Sequence, residues 1–218
     1  MEGICYKIMT YLESSKILYV YTEKGKFSLV AKNAHQMKSD LRTVSQYLNK
    51  IEFKEPKGTM GSLIDVTLID NFLIHKDSLE KIKTIATMFE VIDYILTPDC
   101  DNKKIYELVV TTLEKLEIEL YVLSFLLKVL TYLGYKMDLV PKGDYRLVMG
   151  FSIKKGGLVY PDDNYQVDYD LDFMAIIIKL LVLDDSNISS INELEFGKIK
   201  NFIRDYYRYH LEYDFKNL

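Results

Sequence analysis

Apolar positions in the first seventy or so residues recur with the short period of strands, and from Lys76 onward with the longer period of helices. Residues 16–22 are dense in β-branched and aromatic side chains, and Gly25 follows as a turn. Residues 27–34 form a second such run, so 23–26 read as a hairpin connection. Val44, Tyr47, Leu48, Ile51 and Phe53 alternate with polar residues until Pro56 and Gly58 stop them. Residues 60–72 (Ile64, Val66, Leu68, Ile69) and residues 3–12 complete about five predicted strands. Five short strands with turn signals in under eighty residues suit a small OB-like barrel. An SH3-like barrel or a half-sandwich gives a similar string.

Helical spacing then takes over. Leu79, Ile82, Ile85, Phe89, Ile92 and Leu96 recur every three to four residues, with Asp77 or Ser78 as N-cap and Pro98 as stop. Residues 102–118 repeat the pattern. Residues 119–133 are apolar almost throughout, which predicts a helix central to a bundle, and Gly134 suits a left-handed end. Residues 136–168 hold Pro141, Gly143, Gly150, Gly156, Gly157 and Pro161, and read as a loop with one or two hairpins. Helices are predicted again over 172–183 and 192–213.

Charge changes this picture in one respect. The 218 residues carry a net −4, which alone argues against a nucleic-acid partner. Residues 1–60, however, hold 10 Lys+Arg against 6 Asp+Glu, whereas residues 61–218 hold 18 against 26. Phosphate binding depends on local positive potential, so a basic strand region on an acidic body fits a DNA-binding module attached to something else. No run reaches the roughly 18 uncharged apolar residues of a membrane span; residues 173–183, the nearest, contain Lys179 and end at Asp184 and Asp185. The first five residues lack the form of a secretory signal, so a cytoplasmic location is expected.

Candidate chemistry is sparse. Cys5 and Cys100 are too few for a disulfide framework or a four-cysteine zinc site, and His35, His75 and His210 lack metal-ligand spacing. Phosphate-binding, GxSxG and HExxH motifs are missing, so no enzyme and no cofactor is expected. Asp162, Asp163, Asp168, Asp170 and Asp172 lack the central Gly and terminal Glu of a calcium loop. They read as solvated loop plus helix N-cap. The basic residues Lys16, Lys24, Lys26, Lys32, Lys38 and Arg42 lie among Tyr11, Tyr19, Tyr21, Phe27 and Tyr47. Single-strand binders use this combination, with charge tracking the backbone and rings stacking on bases. On a small barrel about half of such aromatics are core instead.

Five short segments, in order, resemble the RecO family of DNA repair proteins. Residues 13–18 with Thr22, Gly25 and Lys26 resemble its opening turn, strand and hairpin. Residues 30–35 with Lys38 and Ser39 are similar to its "vaKGaR…kS" segment. Residues 125–135 are similar to its "FelrLLxxLGY" helix, Phe151, Ser152 and 156–158 to its "Fs…GGl" run, and 209–211 to its C-terminal "yhl". Departures are visible. Leu139, Val140, Pro141 and Tyr160, Pro161 occupy regions where many members carry four zinc-binding cysteines, so the chain resembles the zinc-free members. Asn33 stands for the usual Gly and His35 for the usual Arg. Leu126 replaces an acidic residue, and Ser124 lies where some members carry Arg.

The resemblance implies an α+β protein. An N-terminal OB-fold β-barrel for DNA binding spans residues 1–75, followed by an α-helical domain over 76–218 with a small loop/hairpin insert at about 136–168. It implies a recombination mediator that binds single- and double-stranded DNA, anneals complementary strands, and works with RecR and single-stranded-DNA-binding protein to load recombinase. Lys16, Lys24, Lys26, Lys32, His35, Lys38 and Arg42 are then the expected DNA contacts, with no metal. Phe125, Leu126, Lys128, Val129 and Tyr132 are expected to receive the C-terminal tail of the single-stranded-DNA-binding protein. A protein-binding scaffold without DNA contact is the other reading.

Overall fold

The structure is a computed structural model in which residues 1–143, 147–184 and 195–218 are described. Three long strands come first: β1 (Glu2–Tyr11), β2 (Ser15–Thr22) and β3 (Gly25–Ala31), joined as antiparallel hairpins. A short helix, α1 (Leu41–Val44), precedes β4 (Lys50–Glu52), β5 (Met60–Ser62) and β6 (Thr67–Asp70). The six strands form one sheet in the order β5-β3-β2-β1-β4-β6. Its two edges, β5 and β6, are consecutive in the chain. From Ser62 to Thr67 the backbone spans at most about 18 Å, whereas six strands laid flat separate their edges by about 24 Å. The sheet therefore curls, and the amide of Leu63 donates to Val30 (2.9 Å) while that of Lys54 donates to Ile64 (3.3 Å), tying the link between both edges. Cys5, Leu18, Val20, Leu29, Ala31, Ile51, Phe53 and Leu63 fill the inside of the curl. Burial there pushes the Cys5 thiol up to about 12, leaving it without thiolate character near neutrality.

Two segments depart from the pattern reading. Residues 44–53, predicted as a strand, contribute only Lys50–Glu52. Ahead of it, the Asn49 side-chain amide donates to the carbonyls of Thr43 (2.8 Å) and Val44 (3.1 Å), the Ser45 hydroxyl donates to Leu41, and Leu48 is left-handed at φ 63°. Such side-chain bonds offer the backbone an alternative to a ladder. Residues 60–72 form two strands, not one, because Asp65 turns left-handed at φ 49°.

Helices follow: α2 (Leu79–Glu90), which continues as a π turn over Val91–Ile95, then α3 (Asn102–Leu113) and α4 (Ile118–Tyr132). Ser78 accepts from the Glu80 amide (3.2 Å) and Asp101 from the Lys104 amide (3.2 Å), the caps that orphan N-terminal amides need. Gly134, at φ 84°, ends α4, and the Tyr135 amide returns to Leu130 at 2.8 Å. The hairpin β7 (Gly150–Ser152) and β8 (Gly157–Val159) turns on Gly156 at φ 69° and lies within the expected insert. Asp170 caps α5 (Leu171–Leu181), and α6 (Phe196–Leu211) is the last helix. The predicted helix over 192–213 begins among residues outside the described ones, as does Asp185. Among the described residues no helix is long and apolar enough to cross a membrane.

Packing groups the chain into two compact units, Met1–Ile82 with Thr97–Leu116, and Lys83–Leu96 with Glu117–Leu218. In the first, α3 lies on the sheet: Tyr21 Oη donates to Asn102 Oδ1 (3.1 Å) and its ring meets Tyr106 edge-on at 6.1 Å. In the second, α4 is the axis. Eleven of its residues are buried, α5 and α6 pack against it, and the Tyr207 hydroxyl donates to the buried Leu126 carbonyl at 2.8 Å.

Candidate nucleic-acid interface

Strand register sorts the first unit's side chains by face. Direct partners share a face, so Lys7, Tyr19 and Ser28 form one row on the outside of the sheet, and Met9, Ile17 and Val30 form the next. At the end of the strands near the β2–β3 turn, α3 covers the outer face over Tyr21. Towards the other end the face is open, with Met9 48% and Tyr11 41% exposed. Lys7 Nζ sits 5.0 Å from the centre of the Tyr19 ring, Tyr6 packs on the same ring at 6.3 Å, and the Tyr19 hydroxyl donates to Met9 Sδ at 3.3 Å. An ammonium over a half-buried tyrosine, on an open face of a small curled sheet, combines the two elements that bind a single strand.

Lys7 was not among the sequence candidates, and the reason is geometric. In a regular strand Lys7 lies on the same side as Cys5, which is core. The register slips between them: Cys5 pairs with Val20, but Lys7 pairs with Tyr19. Tyr6 is the extra residue of a bulge, which moves Lys7 from the inside to the outside. No alternation pattern reveals such a slip.

The seven expected DNA contacts fall at the two ends of the sheet. Lys16, the second residue of β2, lies opposite Ala31, and Lys32, His35, Lys38 and Arg42 lie just beyond, on the connection after β3 and on α1. Asn33 takes the left-handed conformation there (φ 56°), and the His35 amide donates to Ser14 at 2.9 Å, fixing this connection beside the β1–β2 turn. Lys24 and Lys26 flank the β2–β3 turn, about 20 Å away along six residues of β2. Their surroundings differ as well. Lys32 and Lys38 are exposed, and no described residue pairs with them. Lys16 Nζ donates to the Ser45 carbonyl (3.2 Å), Arg42 reaches the Met37 sulfur, and Lys24 is paired with Glu55 at 2.7 Å. Lys26 is half-buried in the row of Tyr21.

In the second unit, the residues expected to take a protein tail lie along α4. Phe125, Leu126 and Val129 are fully buried, Tyr132 is 37% exposed, and Lys128 Nζ donates to the Leu183 carbonyl at 3.3 Å. The five are thus not all on one open surface. The aspartates of the insert and of the α5 cap hold backbone: Asp163 accepts from the Tyr160 amide, Asp168 from Ile153 and Asp170 from Phe173, each at 2.8 Å. The Lys155 ammonium beside Asp163 keeps that carboxyl below its ordinary range. Among the described residues no three His, Cys, Asp or Glu side chains are grouped to hold a metal ion.

A curled, lysine- and tyrosine-bearing sheet followed by a helical body defines the class: an α+β protein with an N-terminal OB-type module. Residues 1–72 match the family model described as recombination protein O N terminal, and residues 77–144 the one described as recombination protein O C terminal. The chain is similar to the DNA repair protein RecO of Clostridium perfringens strain 13, at 31% identity over 140 residues, 61% of this chain and 57% of that protein. It is similar to those of Halalkalibacterium halodurans (27% over 168 residues, 72% and 66%) and Caldicellulosiruptor saccharolyticus (24% over 233 residues, 100% and 95%). The first two matches span less than two thirds of the relatives' length. The chain belongs to the RecO family.

Proposed function

We propose that this chain is a non-enzymatic recombination mediator in DNA repair. It binds single- and double-stranded DNA, anneals complementary strands, and with RecR helps load recombinase onto DNA coated with single-stranded-DNA-binding protein. The observation that carries this reading is the open outer face of β1 to β3. Lys7 over Tyr19 offers a stacking platform, and the exposed Lys32 and Lys38 at the adjoining end, with no pairing among the described residues, offer phosphate contacts. Lysine contacts to phosphate carry no base information, so one face can hold either of two complementary strands. Bringing two strands together lowers the entropic cost of pairing without covalent chemistry. The helical unit takes the acidic, apolar-ended tail of the single-stranded-DNA-binding protein near Tyr132 and Lys128, and the protein works in the bacterial cytoplasm at the nucleoid. No cofactor takes part.

The test is annealing of complementary oligonucleotides, bare and coated with single-stranded-DNA-binding protein. Faster annealing in both states is expected, and no acceleration in either overturns the reading. A protein-interaction scaffold without DNA contact is the second reading. It is favoured by the net charge of −4 and by the neutralisation of Lys24 by Glu55. A mobility shift at low salt separates the two.

A further inference from the structure

Helix α5 is apolar on two sides. Phe173, Met174, Ile177 and Leu180 are buried against the second unit's core. On another side Leu171 (45% exposed), Ala175, Ile178 (43%) and Val182 (62%) remain in solvent. Their spacing of four, three and four residues places them in one stripe along the helix. Only two charged residues lie within α5, Asp172 and Lys179. They are seven apart, both exposed, and no described residue pairs with either. Each stands one position after a stripe residue, so both lie on the same flank of the stripe.

We propose that this stripe pairs two copies of the chain, α5 against α5, antiparallel about a two-fold axis. The stripe is self-complementary in that orientation. Leu171 meets Val182 of the partner subunit, and Ala175 meets Ile178 of the partner subunit, so a small side chain lies opposite a large one at the centre. In heptad terms the stripe supplies the core positions, and Asp172 and Lys179 both occupy the position that faces its own kind across an antiparallel seam. Asp172 of each copy therefore meets Lys179 of the other, which gives two equivalent ion pairs. A parallel pairing leaves both charges without a counterpart. Eleven residues of helix are only about 16 Å long, so the buried area falls short of the 1,200–2,000 Å² or so of a stable complex. The pairing is accordingly weak and concentration-dependent.

The test is sedimentation equilibrium of the full chain over a wide concentration series. The weight-average mass is expected to rise from 25.5 kDa towards twice that value. Lys179→Asp should lower the association constant about tenfold by placing like charges together, and the double swap Asp172→Lys with Lys179→Asp should restore it. In a Cys100→Ser background, a mixture of Ala175→Cys and Ile178→Cys chains should form a mixed disulfide, whereas Leu171→Cys chains should not cross-link to themselves. A mass fixed at 25.5 kDa at every concentration overturns the proposal. So does a double swap that associates no better than the single reversal, or cross-linking of Leu171→Cys with itself.

Discussion

The ammonium of Lys128 lies 3.3 Å from the carbonyl oxygen of Leu183, one turn of α4 beyond Ser124, whose hydroxyl donates to Leu180 at 2.6 Å. Leu180 lies in the last turn of α5, where its carbonyl also accepts from the Leu183 amide at 3.3 Å, and Leu183 lies two residues beyond the helix, near the negative end of its dipole. Lys128 therefore ties down the chain just beyond α5 as well as being a candidate partner contact. Ser124→Ala leaves the buried Leu180 carbonyl without this donor and should cost about 1–3 kcal/mol of stability. Lys128→Glu turns an attraction at the helix end into a repulsion and should cost about 1 kcal/mol. Urea unfolding of both variants checks this, and an unchanged midpoint for Ser124→Ala removes that stabilising role. Binding of a tail peptide is then better read from Tyr132→Ala, whose ring is partly in solvent.

Charge reversal at Lys32, Lys38 and Arg42 should weaken binding to unrelated oligonucleotides about equally. The slope of log affinity against log salt should flatten by about 0.9 for each duplex phosphate that is no longer neutralised. Lys24→Glu should do less, since Glu55 already neutralises that ammonium. Fluorescence anisotropy across a salt series measures both. A triple variant that binds as the parent does places the DNA face elsewhere.

Replacing the Tyr19 ring should act on one substrate more than the other. A base stacked on an aromatic contributes about 1–3 kcal/mol, and duplex bases are not free to stack. Tyr19→Ala should thus lower single-strand affinity by about 5- to 150-fold while changing duplex affinity little. Equal losses on both substrates would make the ring a structural support for Lys7.

His75 gives the fold a pH dependence. Its ring is fully buried, Nε2 donates to the Leu113 carbonyl at 2.8 Å, and Nδ1 has no partner among the described residues. Burial lowers its pKa from the ordinary 6.5. The unfolded chain therefore binds the proton more readily than the folded one, and stability rises with pH through this window. The contribution is complete above about pH 6.5 and is lost as pH falls below it. The parent's urea midpoint should fall between neutral and mildly acidic pH by more than that of His75→Gln. Equal falls would exonerate His75.

What the sequence revealed was whatever depends on local pattern. The three long strands, the Ser78 and Asp170 caps and the left-handed Gly134 follow from residue type and spacing. The Tyr6 bulge does not, because it depends on which residues of β2 and β4 compete for the two sides of β1, and with it went Lys7. The α4 residues show the opposite problem. A helix that is apolar on all sides is both a good binding surface and a good core, and pattern alone does not separate Tyr132 from Phe125. Likewise Lys24 and Lys32 are equivalent in sequence until Glu55 folds back onto one of them.

Glu90 accepts hydrogen bonds from the Tyr213 hydroxyl and the Lys216 amide, both at 2.9 Å, and from Asn217, 127 residues further along. On a ribosome adding about 5–20 residues per second, that carboxylate is made roughly 6–25 seconds before its last partner. The Met1–Ile82 and Thr97–Leu116 unit has its whole chain by residue 116, so its sheet can close while Glu90 still faces water. The second unit instead finishes as a late, cooperative step, and a ribosome stalled a few dozen residues early should release a nascent chain whose first half resists protease and whose second half does not.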